Sequence, residues 1–64
     1  MNQYSITIED SFFITRHVDI TSNNAMEAHK KALLTELNDD EEIKTIKLHT
    51  GEVVYGPAGF ALAS

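Results

Sequence analysis

The chain contains no cysteine, so neither a disulfide framework nor a thiolate metal site can support the fold. Tryptophan is also missing, there is one proline, Pro57, and the three glycines, Gly51, Gly56 and Gly59, all come late. No Lys-Ser/Thr pair or helix start follows those glycines, so they do not make a phosphate-cradling loop. Basic residues are scarce: five Lys and Arg stand against ten Asp and Glu, for a formal charge of −5. That balance opposes attraction to phosphate backbones and anionic lipid, and it leads us to expect no direct nucleic-acid binding and no membrane association. No apolar run approaches the roughly 20 residues that span a bilayer. Met1-Asn2-Gln3-Tyr4 has neither the basic nor the apolar region of a secretory signal, which gives a cytoplasmic expectation.

With 64 residues there is room for one domain, 1–64, in which residues 56–64 form either a docked or a loose tail. A fold of this size buries only about 60% of the surface its unfolded chain exposes, and an enzyme pocket would compete with that core.

Apolar residues alternate early. Tyr4, Ile6 and Ile8 are followed by Phe12, Ile14, Val18 and Ile20 with the same period of two, which predicts two strands. A three-residue turn at Glu9-Asp10-Ser11 sets Ile8 opposite Phe12 and Ile6 opposite Ile14, and it places Arg16 in the apolar row with its stem along the core edge. A helix follows. Asn24 and Glu27 have capping-box spacing, and Ala25, Met26, Ala28, His29, Ala32, Leu33 and Leu37 form one stripe expected to face the sheet. Beyond the polar run Asn38–Glu42, Ile43 to His49 read as a third strand. A turn at Thr50-Gly51 returns a fourth, with Leu48 opposite Val53 and Ile46 opposite Tyr55. The expected fold is α+β, β-β-α-β-β, with a four-stranded, mainly antiparallel sheet and one helix on one face.

The candidate chemistry is thin. His17 and His49 fall on the face away from the helix, but with the second and third strands both flanking the first they lie about 9 to 10 Å apart at best, too far to share a zinc ion. His29 lies in the helical stripe as a core-border histidine. No nucleophile elbow or triad spacing occurs. The expectation is a non-enzyme with no cofactor and no metal.

Two features point to binding. Asp39, Asp40, Glu41 and Glu42 lie just past the carboxyl end of the helix, where the macrodipole disfavours negative charge; they read either as a solvated loop or as a patch that docks on a basic groove. Phe13 and Val54 are expected on the open sheet face beside His17, as an interface anchor among short polar residues. These seven residues are the expected partner-binding set, directed at a protein or nucleoprotein complex with a basic surface.

The strand Tyr4-Ser5-Ile6-Thr7-Ile8-Glu9-Asp10, with a second strand and an alanine-containing helix after it, resembles the amino-terminal half of HicB-type antitoxins. The Pro-Asp-Leu-Pro-Gly-Cys-like stretch of that family is absent from Val18-Asp19-Ile20-Thr21-Ser22. Element order and acidity are also similar to small phage proteins that inhibit host enzymes, including an inhibitor of bacterial RNA polymerase; no residue role carries over. The expected function is therefore a phage or mobile-element inhibitor of a host or defence system, of anti-CRISPR-like or polymerase-inhibitor-like type. The alternative is a homo-oligomeric module, such as a homodimer, or an antitoxin-like partner-binding domain.

Overall fold

The structure, a computed structural model, describes residues 1–61. Its elements run β1 (Asn2–Glu9), β2 (Thr15–Ser22), α1 (Ala25–Thr35), β3 (Glu42–Leu48), β4 (Val53–Gly56) and β5 (Gly59–Phe60). The sheet is antiparallel, in the order β2-β1-β3-β4-β5. This is the expected α+β architecture with one strand more, because the segment after Pro57 folds back on β4 and pairs Tyr55 with Phe60. The other large apolar residue of the tail, Leu62, lies outside the described residues.

Side-chain alternation put the right residues of β1 and β2 on the same face but in the wrong register. Ile8 pairs with Arg16, Ile6 with Val18 and Tyr4 with Ile20, so the strands are offset by four residues from the expected pairing. The intervening loop is Asp10-Ser11-Phe12-Phe13-Ile14. Asp10 explains the longer loop: its carboxylate accepts from the backbone N–H of Phe12 at 2.9 Å and of Ile14 at 3.0 Å, while its carbonyl accepts from Phe13 N–H. One aspartate thus satisfies the turn, in the manner of an Asx motif.

The second hairpin also departs in part from expectation. Ile46 does face Tyr55, but Val53 pairs with Lys47 and not with Leu48, which bonds instead to Glu52. Gly51 closes the loop in the left-handed region, at φ 96°, where a side chain would be strained. The register is recovered by a bulge that leaves Val54 as an extra residue. The bulge turns Val54 inward, to 8% exposure. A Val54 on the open face is therefore excluded.

The core is Tyr4, Ile6 and Ile8 of β1, Ile43 and Ile46 of β3, Val54, and Ala28 and Ala32 of α1. Asn24 caps the helix by accepting from Glu27 N–H at 2.9 Å. Only Ala28 and Ala32 of the helix are buried; Leu33 is 49% and Met26 67% exposed. The expected apolar stripe is thus wider than the face that packs. Alanines let the helix sit low on the sheet, and its flank carrying His29 leans on Tyr55 and Phe60, with ring centroids 4.9 and 5.5 Å away.

Candidate partner-binding site

The chain folds so that one end of the molecule collects its charge. The end of β1, the β1–β2 loop, the carboxyl end of α1 and the start of β3 all meet there. They bring Glu9, Asp10, Glu36, Asp39, Asp40, Glu41 and Glu42 together with only Arg16 and Lys44. These seven carboxylates against two cations account for the whole formal charge of −5, because Asp19, Glu27 and Glu52 elsewhere are balanced by Lys30, Lys31 and Lys47.

Within that end the carboxylates do different work. Arg16, on the inner face of β2, donates to both oxygens of Glu41 at 2.9 Å each and to the Glu36 carbonyl, at the C-cap of α1. A cation from β2 thereby meets the negative end of a helix that has no basic residue in its own last turn. Glu41 in turn accepts from Asn38 N–H at 2.9 Å. The hydrogen bond from Arg16, followed by that from Asn38, pushes the Glu41 carboxyl down from its ordinary 4.5 to about 2. Glu41 is therefore a structural anchor, held by Arg16 and Asn38 although the macrodipole by itself disfavours negative charge there. Glu42 lies opposite Glu9 across the strands, a like-charge pairing that is unfavourable alone. Lys44 relieves it, at 3.3 Å from Glu42 and 3.4 Å from Glu9, and the hydrogen bond with Glu42 is the main reason its own pKa is raised. Asp39 and Asp40 remain exposed, with Asp40 accepting from Ser11 Oγ at 3.2 Å.

That last bond ties the acidic loop to the β1–β2 tip. Phe12, Phe13 and Ile14 are 78%, 80% and 65% exposed, and Phe13 is the one non-glycine residue at positive φ among those described, at 63°. An exposed phenylalanine held in the left-handed region by the hydrogen bonds of Asp10 is a local strain, of the kind that collects at functional positions. Phe13 thus stands at the end of the sheet and not on its open face. Phe12 and Ile14, expected in the core row, stand with it. Three successive apolar residues after Asp10-Ser11 break the period of two, and that break was the available signal.

The outer face of the sheet is polar. His17 bonds there through Nδ1 to Thr7 Oγ1, at 2.9 Å, on the face of β2 opposite to that of Arg16; His49 lies on the opposite side of β1, next to Gln3. Among the described residues no three of His, Asp and Glu are grouped to hold a metal ion, and no helix is long and apolar enough to cross a membrane. The structure thus brings Phe13 together with Asp39, Asp40, Glu41 and Glu42, and leaves His17 and Val54 apart from them.

No protein-family model, curated protein or solved structure matches the chain.

Proposed function

We propose that this chain is a small, non-catalytic, cytoplasmic binding protein that inhibits or modulates a larger protein or nucleoprotein complex by seating its acidic end on a basic surface. The observation that carries the reading is the coincidence, at one end, of three exposed apolar side chains with the whole net charge of the molecule. Aromatic anchors supply most of the affinity of an interface, while a charged surround steers encounter and rejects wrong partners. Phe12 and Phe13 serve as the anchors; Asp39 and Asp40 provide the steering charge. A protein of this build, with its small size and concentrated negative end, suits a phage or mobile element acting against a host or defence system.

The test uses three baits in lysate of the native host: the wild type, Phe12→Ser/Phe13→Ser, and Asp39→Asn/Asp40→Asn, each first shown by circular dichroism to be folded. A protein retained by the wild type and lost from the tip variant, with salt-sensitive association weakened in the aspartate variant, supports the reading. Identical retention by all three refutes it.

A further inference from the structure

The two edges of the sheet are unequal. β5 is two residues long, whereas β2 offers eight, Thr15–Ser22, paired to β1 without a single irregularity. An edge of that length presents a row of unpaired backbone groups unless a proline, bulge or covering segment blunts it, and β2 has neither a proline nor a bulge.

Which groups face outward follows from the hydrogen bonds. The Gln3 carbonyl accepts from His49 N–H, so Gln3 is turned towards β3. In an antiparallel pair, opposed residues either both face each other or both face away. Thr21, opposite Gln3, therefore turns its backbone away from β1 to the free edge, and with it Asp19, His17 and Thr15. Lys31 Nζ reaching the Thr21 carbonyl at 3.0 Å agrees with this and marks the flank of α1 that stands above the edge.

We infer that β2 is the interface for a second copy of this chain, which adds its own β2 antiparallel, in the register that sets His17 of one copy opposite Asp19 of the other. The commitment to a second copy comes from self-complementary hydrogen-bonding groups. In this register the two-fold axis passes by Val18, each His17 imidazole faces an Asp19 carboxylate, and each Thr15 faces a Thr21. Because His17 is bonded to Thr7 through Nδ1, its Nε2 is the nitrogen that meets the carboxylate. Sliding the register by one repeat in one direction opposes Asp19 to Asp19, and like charges directly opposed are destabilising; sliding it in the other leaves fewer residues paired. On the inner face the half-buried Val18 side chains meet across the axis, and Leu34, one turn on from Lys31 and 76% exposed, supplies an apolar contact between the two helices. Thr21 keeps its bond from Lys31, since a carbonyl oxygen accepts two. The pairing leaves the acidic tips at opposite ends of the dimer, so it is independent of the binding role proposed for them.

Sedimentation velocity and light scattering over a concentration series test this. The wild type is expected to reach twice the mass of one chain. Asp19→Pro removes an outward N–H that makes no bond within the sheet, and it should give a single-chain mass with an unchanged circular dichroism spectrum. His17→Asp leaves every backbone group in place and opposes carboxylate to carboxylate twice; it should weaken dimerisation by about tenfold or more, and His17→Asp/Asp19→His should restore it. A wild type that keeps the mass of one chain at every concentration overturns the inference. So does His17→Asp dimerising as tightly as wild type, whether or not the proline variant folds.

Discussion

Phe13 and Phe12 are neighbours, nearly equal in exposure at 80% and 78%, and only Phe13 has positive φ. Replacing each in turn with glycine isolates the backbone strain. Either change adds conformational entropy to the unfolded chain, at about 0.5–1 kcal/mol. Either also removes the fifth or so of the ring that is covered, about 0.3–0.6 kcal/mol if full burial of a phenylalanine contributes about 1.5–3. Phe12→Gly should thus destabilise by about 1–1.5 kcal/mol. Phe13→Gly relieves in addition a left-handed conformation that costs an L-residue about 1–2 kcal/mol, so it should lie within about 1 kcal/mol of wild type. The two variants should differ by about 1–2 kcal/mol, or about 4–16 °C in melting temperature for a domain of this size. Urea denaturation followed by circular dichroism at 25 °C reads the difference directly. If Phe13→Gly is as unstable as Phe12→Gly, the loop does not hold Phe13 in the conformation described, and the argument that its strain marks a functional position falls with it.

Ile6→Ala should lose about 2–5 kcal/mol, because Ile6 is fully buried between β2 and β3, whereas Leu33→Ala, at a half-exposed position, should lose no more than about 1.5; equal losses in chemical denaturation would contradict the helix placement. Asn24→Ala removes the cap of α1 and should cost about 1 kcal/mol, with a matching drop in helical signal near the transition. Glu41 has its pKa lowered to about 2 in the folded chain from an ordinary 4.5, so its contribution is fully present above about pH 4.5 and is lost as pH falls towards 2. Melting temperatures measured across that window should fall less steeply for Glu41→Gln than for wild type, starting from a lower value at neutral pH; parallel curves would show that the Arg16 pair contributes nothing.

Local and periodic features were legible in the chain. The order β-β-α-β-β, the Asn24 cap and the inward face of β1 depend on neighbours a few residues apart, and a period of two or 3.6 records them directly. Arg16 in the inner row of β2 was legible for the same reason. Register was not, because a shift of four residues leaves every side chain of β2 on the same face; the choice fell to Asp10, whose carboxylate closes the longer loop. The bulge that turns Val54 into the core likewise preserves the Ile46–Tyr55 pairing that alternation pointed to, while exchanging the faces of Val53, now 48% exposed, and Val54. Leu33 was misplaced because a helical stripe tells which residues are apolar but not how wide a sheet lies beneath them. The acidic end depended on tertiary structure most of all. Arg16 and Glu41 are 25 residues apart, Ser11 and Asp40 are 29 apart, and no local pattern relates them. Only the return of the helix over the sheet brings the Phe12-Phe13-Ile14 tip beside the acidic loop, separating the carboxylate that anchors the fold, Glu41, from Asp39 and Asp40, which stay exposed to solvent.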